Sequence, residues 1–272
     1  MKTRLFLLIA GFLTVLSGSS AIAGENKLVL TGSSTVAPLA LEIAKRLEKE
    51  NPGIRVDVQT GGSSRGINDA RMGLADVGMV SRALKPEESD LTPYTIAMDG
   101  IGMIVHKSNP VQKLSDEQIK DIYTGAIENW KDAGGTDMPI TVVNKAEGRS
   151  TLELFLHHFS LKNSEIKADV VIGDNQQGIK TVSGNLGSIG YVSIGTAEYE
   201  EQHGTPIRLL PMEGIPATGE NVQKETFPLS RQLNLVVKNT PSPLARKFIK
   251  YAQSKDVHDL IEAQFFVPLA DE

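Results

Sequence analysis

Short apolar runs alternate along this chain with longer segments whose apolar residues recur every three or four positions. Residues 54–59 alternate apolar and polar side chains as a β-strand does, whereas Leu39, Ile43 and Leu47 mark one face of a helix over 36–50. Further strands are predicted at 27–31, 77–80, 95–105, 140–143, 188–192 and 232–237, and further helices at 64–72, 115–123, 151–159, 175–182, 243–253 and 257–263. This alternation predicts an α/β fold with mainly parallel sheets.

The first 23 residues have the pattern of a secretory signal peptide. Lys2 and Arg4 precede an apolar stretch over 5–16, and small residues at Ala21 and Ala23 fit a cleavage site. The apolar stretch is too short for a membrane-spanning helix. We therefore expect cleavage after Ala23 and an exported, periplasmic protein.

The composition of the chain excludes several classes of functional site and partner. The chain has 272 residues, no Cys and a formal net charge of −5, so disulfides, thiolate metal sites and cysteine nucleophiles are excluded. An acidic chain provides no basic field for nucleic acid, and we expect no nucleic-acid partner. No two of the five His have HExxH spacing, and we expect neither a metal nor a cofactor.

One loop type occurs three times, where a strand ends and a helix begins. Gly and small hydroxyl residues occupy 32–35, 61–66 and 148–151. The first turn of a helix has unpaired N–H groups and a partial positive charge, so such a loop can hold an anion. Ser and Thr also cap helices without any ligand, but each loop has more hydroxyls than a cap needs. The three loops together favour a shared oxyanion site at the carboxyl ends of the strands.

The second loop also allows an enzyme interpretation. Residues 62–66 fit the GxSxG pattern of a nucleophile elbow, with Ser64 as nucleophile and His258 as a late base. A Gly/Ser-rich loop produces this short pattern easily, and a hydrolase would leave the other two loops unexplained.

Ser81 and Arg82 follow the predicted strand at 77–80 and could reach the same edge. A surface ion pair is the alternative for Arg82.

With these motifs the chain resembles the periplasmic phosphate-binding subunits of bacterial phosphate ABC importers, which have the type II solute-binding protein fold. The resemblance extends from about Lys27 to Pro268. It is carried by TGSSTVAP at 31–38, GGSSRG at 61–66, DVGMVSR at 76–82 and GRST at 148–151, and supported by LSDEQI at 114–119, IYTG at 122–125 and NW at 129–130.

The resemblance implies a two-lobed α/β protein whose lobes close on an anion about two hinge crossings. Lobe one is expected at 24–106 plus 205–272, and lobe two at 107–204. It further implies a monomer that captures inorganic phosphate and delivers it to the membrane permease of an ABC importer, without catalysis. The same fold binding sulfate or molybdate is the alternative.

Carried over by position, the resemblance also implies the ligand-binding residues. In lobe one these are Ser34, Thr35, the Val36 amide, Ser63 and Ser81, and in lobe two Arg149, Ser150 and Thr151. Ser64, Arg82 and Lys145 are weaker candidates.

Two positions depart from the family pattern. Many members have an Asp where this chain has Ser81. That Asp accepts the proton of hydrogen phosphate and rejects sulfate, which has no proton to donate. Asp99 or Glu147 could substitute for that acid. An Arg is common where this chain has Lys145, which supplies charge without a bidentate fork, and Arg149 or Arg82 could restore that fork.

Overall fold

The computed structural model describes residues 26–238 and 240–270. The predicted signal peptide, 1–23, lies outside these residues. Within them, no helix is long and apolar enough to cross a membrane.

The described residues form nine strands and nine α-helices that alternate for most of the chain. The strands are β1 (Lys27–Gly32), β2 (Arg55–Thr60), β3 (Val77–Val80), β4 (Thr92–His106), β5 (Thr141–Lys145), β6 (Val170–Ile172), β7 (Ser188–Ser193), β8 (Ile207–Leu209) and β9 (Ser230–Val237). The helices are α1 (Ala37–Glu50), α2 (Ser63–Met72), α3 (Asp116–Thr124), α4 (Ser150–His158), α5 (Asn175–Ser183), α6 (Ile194–Gln202), α7 (Gly219–Gln223), α8 (Pro243–Ala252) and α9 (His258–Ala263).

The strands form one continuous mixed sheet in the order β2-β1-β3-β9-β4-β7-β5-β6, with β8 on β4. Neighbours are parallel in β2-β1-β3 and in β7-β5-β6, where helices connect the strands. The pairs that involve β4 or β9 are antiparallel. The predicted α/β class is confirmed, and the antiparallel pairs arise because β4 and β9 run in opposite directions between two halves of the molecule.

Strand β4 is long enough to serve both lobes. Its first part, Thr92 to Gly100, pairs with β9, and its second part, from Ile101, pairs with β7 and β8. One large core draws on residues 28–97 and 233–266, and the other on residues 101–229 together with Val267. The chain thus passes between two cores near Gly100 and again close to Ser230.

Packing of the helices fixes the loops that precede them. In α1 the residues Leu39, Ile43 and Leu47 are buried at helical spacing, and Pro38 occupies the first turn, where its missing N–H costs nothing. In α4 the buried residues Leu152 and Phe155 pack into the second core, where Phe155 stacks on Tyr191 with ring centroids 4.1 Å apart. The first turns of α1 and α4 are thereby held in place from opposite lobes.

Candidate functional site

The three Gly/Ser/Thr loops meet at the interface between the lobes. Thr35 precedes α1, Ser63 begins α2, and Ser150 and Thr151 begin α4, and all four are buried. Hydrogen bonds and close contacts link the loops of lobe one to those of lobe two. The positive ends of three helices therefore lie around one enclosed region.

The lobes touch in this structure. The Ser64 amide donates to the Gly148 carbonyl across the interface at 3.2 Å. Glu153 of α4 forms ion pairs with Arg82 at 3.1 Å and Lys85 at 2.7 Å, both in lobe one. The structure is thus that of a closed cleft.

Gly62 makes this close approach possible. Its φ of +94° lies in a region that L side chains rarely adopt, and a Cβ there would be 2.6 Å from the Gly148 carbonyl oxygen and 2.9 Å from Cδ of Arg149. Only glycine therefore lets the Arg149 side chain cross this loop of lobe one.

Two residues outside the predicted loops complete the base of the cleft. Arg231 of β9 and Asp99 of β4 form a fully buried ion pair at 2.7 Å. Arg231 also donates to the Thr151 hydroxyl at 3.0 Å and to the Thr35 hydroxyl at 3.3 Å. One guanidinium therefore contacts a hydroxyl from each lobe.

Lys145 lies at the end of β5, and its ammonium donates to the Oδ1 of Asn175 at 3.0 Å. The Nδ2 of Asn175 donates in turn to the Thr35 hydroxyl at 3.2 Å. Burial, together with the positive charges of Arg231 and Arg149, lowers the pKa of Lys145 to about 7, although Asp174 acts in the opposite direction. Lys145 thus belongs to a region rich in positive charge and short of acceptors.

Several buried donors of the cleft have no acceptor within the described part of the chain. Ser150 Oγ and Arg149 Nε have no hydrogen-bond partner among residues 26–238 and 240–270. Ser63 Oγ accepts from the Ser81 amide at 3.1 Å, and Thr35 Oγ1 accepts from Arg231 and Asn175, so their hydroxyl hydrogens are left over. Buried polar groups are normally paired, so this set of donors is suited to an acceptor from outside the chain.

Other predicted residues have different surroundings. The Thr35 and Val36 amides donate to Ser33 Oγ, at 3.2 and 3.3 Å, and are already used inside the loop. Ser34 lines a cavity of about 360 Å³ between the lobes together with Pro38 and Asn175. These contacts place Ser34 at the mouth of the cleft.

Arg82 forms the ion pair that the alternative predicted, but it is buried and not at the surface. Its guanidinium is held by Glu88, at 2.6 and 2.8 Å, as well as by Glu153. Its charge is therefore neutralised by two carboxylates.

Neither acid considered as a substitute at position 81 is a free acceptor. Asp99 is occupied by Arg231 and by the Gly195 amide, at 3.2 Å. Glu147 is exposed and accepts from Asn163 at 2.9 Å.

Comparison with known proteins agrees with this geometry. The chain matches the PBP superfamily domain over residues 18–256. It is 32% identical to a proposed phosphate ABC transporter substrate-binding protein from Clostridium perfringens crystallised with bound phosphate, with a TM-score of 0.82 over 90% of this chain and 100% of the other. The chain belongs to the PBP superfamily, among the substrate-binding proteins of phosphate ABC transporters.

Two other relatives support this grouping. The phosphate-binding protein PstS of Bacillus subtilis is 27% identical, with 99% of this chain and 95% of that protein covered. An ABC-type phosphate transport receptor from Vibrio cholerae is 28% identical and superposes with a TM-score of 0.73, covering 89% of this chain and 100% of the other.

The hydrolase interpretation finds no support in the surroundings of Ser64. Ser64 Oγ donates to Glu153 at 3.4 Å, and no hydrogen bond joins it to His258 among the described residues. His258 lines a different cavity, of about 450 Å³, with Met98, Glu262 and Val267.

One group of residues outside the cleft has the donors of a metal site. Ligand atoms of Asp116, His158 and Glu213 all lie within 4.8 Å of one another. His158 Nε2 is 2.9 Å from Asp116 Oδ2, a distance that a hydrogen bond alone explains.

The sequence analysis missed Arg231 and Asn175 as residues of the cleft and left Asp99 unplaced. Arg231 lies 80 positions after Thr151, at the edge of an apolar strand, and Asp99 interrupts an apolar run. The available signal was a single charge in each of two segments that are rich in apolar residues, which is compatible with a buried ion pair.

Proposed function

We propose that this chain binds inorganic phosphate between its two lobes and delivers it to the membrane permease of an ABC importer. The main support for this proposal is a set of buried hydroxyl and guanidinium donors, contributed by both lobes. These donors lack acceptors among the described residues. An oxyanion supplies acceptors in several directions at once, and its charge offsets the positive charges of the buried Lys145 and the half-buried Arg149. The phosphate named for the relatives agrees with this chemistry.

The ligand-binding residues in this proposal come from both lobes. Ser63 and Thr35 donate from lobe one, and Arg149, Ser150 and Thr151 from lobe two. Ser34 and Ser81 border the ligand, and Lys145 supplies positive charge from the end of β5. The amide of Val36, Ser64 and Arg82 contribute less, because each already has a partner inside the protein.

We propose lobe boundaries that follow the two cores. Lobe one then comprises 26–100 and 230–270, and lobe two 101–229, in place of the boundaries at 106/107 and 204/205. Support comes from the switch of β4 from β9 to β7 at Gly100 and Ile101, and from the core residues at 207–229.

The remaining elements of the proposal follow from the same family. The protein acts outside the cytoplasm after removal of residues 1–23, works as a monomer, and performs no catalysis. Labelling of Ser64 by a serine-directed phosphonate would contradict the last point.

Calorimetric titration of ligand-stripped protein with phosphate, alone and in excess sulfate, tests the function. We expect phosphate to bind, and Ser63→Ala and Thr151→Val each to weaken binding by about 1–3 kcal/mol, since each removes one donor to a buried anion. Thr181→Val is the matched control, because the Thr181 hydroxyl donates to the Gln177 carbonyl of its own helix, at 2.8 Å, outside the cleft. Absence of phosphate heat, or binding abolished by sulfate, would transfer the proposal to the sulfate or molybdate alternative.

A further inference from the structure

Arg231 lies where β4 and β9, the two strands that pass between the lobes, pair with each other. In the antiparallel register of β4 and β9, Asp99 lies directly opposite Arg231. Oδ2 of Asp99 accepts from Nε of Arg231 at 3.0 Å and from Nη2 at 2.7 Å, and Oδ1 accepts from the Gly195 amide at 3.2 Å. The guanidinium is therefore held in one orientation at the hinge between the lobes.

The remaining contacts of this guanidinium point to one hydroxyl in each lobe. Nη1 donates to Thr151 Oγ1 at 3.0 Å, and Nη2 donates to Thr35 Oγ1 at 3.3 Å. A guanidinium can only donate, so each hydroxyl oxygen must accept and its own hydrogen must point elsewhere.

At Thr35 the constraint is complete. Its oxygen accepts from both Arg231 and Asn175, which uses both of its lone pairs. The hydroxyl hydrogen can then only donate, and no residue in the described ranges accepts it. Thr151 is constrained on one side in the same way.

We propose that Arg231 is a positioning residue that couples lobe closure to oxyanion binding. Held by Asp99, it directs the hydroxyl hydrogens of Thr35 and Thr151, one from each lobe, toward the same anion. This role rests on the proposed function and deepens it, because it explains why a residue at the hinge controls donors on both sides of the cleft.

The chemistry of arginine suits this role and that of lysine does not. The planar fork reaches Asp99, Thr35 and Thr151 with separate N–H groups in fixed directions. An ammonium carries its three N–H groups on one freely rotating nitrogen, so it lacks the spaced, coplanar donors that fix the direction of each bond. Arg231→Lys therefore keeps the charge and removes the orientation of the hydroxyls.

A pair of double-mutant cycles measured by phosphate titration tests the proposal. We expect Arg231→Lys to weaken binding roughly 10- to 100-fold, and Thr151→Val to have little further effect in that background. Ser63→Ala is the matched comparison, because the Ser63 hydroxyl accepts from the Ser81 amide, and the hydrogen bonds of Arg231 within the described residues go to Asp99, Thr151 and Thr35. The Ser63 and Arg231 effects should add.

This comparison separates positioning from a general structural role. If Arg231 merely stabilised the hinge, both cycles would show the same coupling, and that result would overturn the proposal. Additive effects in both cycles would overturn it equally. Arg208→Lys, which alters an Arg bonded to the Asn109 and Val111 carbonyls in lobe two, should leave phosphate affinity unchanged.

A second variant keeps the test decisive if Arg231→Lys does not fold. Asp99→Asn retains the shape of the acid and weakens its hold on the guanidinium, so its cycle with Thr151→Val should show the same coupling. Wild-type protein that binds no phosphate would reject the proposed function and this inference together. A wild type that binds phosphate with uncoupled cycles would reject this inference alone.

Discussion

At the scale of single residues, Lys145 shows what the closed cleft demands of its ligand. The ammonium is buried beside two arginines and has one uncharged acceptor, the Asn175 amide oxygen. A charge in that position is costly without a counter-ion, and the lowered pKa of Lys145 expresses this cost. A bound oxyanion acts as the counter-ion and removes this cost. We therefore expect Lys145 to take up a proton when an anion binds above pH 7.

The ligand-free protein offers a direct test of this cost. The pKa of Lys145 is about 7 when folded and 10.5 for an ordinary lysine, so between these pH values the unfolded chain holds more protons. The free energy of unfolding of the wild type should therefore rise, relative to Lys145→Met, as pH increases from 7 toward 10.5, and the full penalty should be present below pH 7. Urea unfolding of ligand-free protein at pH 7 and pH 9 measures the difference.

The control for that measurement is Lys120→Met, which alters an exposed lysine of α3 in the same lobe. Its difference from the wild type supplies the baseline for replacing a lysine outside the cleft. A Lys145→Met difference that does not change with pH relative to this baseline would show that Lys145 remains charged in the folded, empty protein.

At the scale of elements, the turn between β2 and α2 determines how closely the lobes approach. Gly62 has φ of +94° and ψ of 159°, and a Cβ would contact Gly148 and Arg149 of the other lobe. Backbone strain at a residue other than glycine would lower the free energy of unfolding whether the cleft is open or closed. The contact with Gly148, in contrast, exists only when the cleft is closed. The two effects are therefore separable.

Gly62→Ala should weaken phosphate binding more than its effect on stability explains. Gly53→Ala is the matched control, because Gly53 has φ of +103° and nothing within 4 Å of an added Cβ. Both changes cost about 1–3 kcal/mol of backbone strain. Thermal unfolding of the ligand-free variants measures the effect on stability, and phosphate titration measures the effect on affinity. If the two variants lost affinity equally, the argument that Gly62 is needed for closure would be contradicted.

The same scale shows how far the sequence predicts the structure. Glycine and hydroxyl residues at 32–35, 61–66 and 148–151 identify the three loops because local backbone chemistry requires them there. The pairing of Asp99 with Arg231 depends on the register between two strands more than a hundred residues apart, and no local pattern encodes it. Similarly, the Val36 amide was predicted to be a ligand donor, but the fold turns Ser33 Oγ toward it.

At the scale of the whole molecule, two separate cores joined at β4 and β9 permit one lobe to move against the other. The contacts across the cleft are mostly polar, including Glu153 with Arg82 and Lys85 and the backbone bond from Ser64 to Gly148. Polar interfaces between domains of one chain generally allow relative motion. We therefore expect the closed arrangement to depend on the ligand.

Amide hydrogen exchange at Ser64 should report this closure directly. The Ser64 N–H donates to a carbonyl of the opposite lobe, so separating the lobes exposes it to solvent, whereas the Ser81 N–H donates to Ser63 within lobe one. Exchange at Ser64 should slow markedly on addition of phosphate, while exchange at Ser81 should change much less, since opening of the cleft leaves its bond intact. NMR-detected exchange with and without phosphate distinguishes the two amides. Equal protection of Ser64 in both states would mean that the lobes stay closed without an anion, and that the ligand enters by a route other than opening of the cleft.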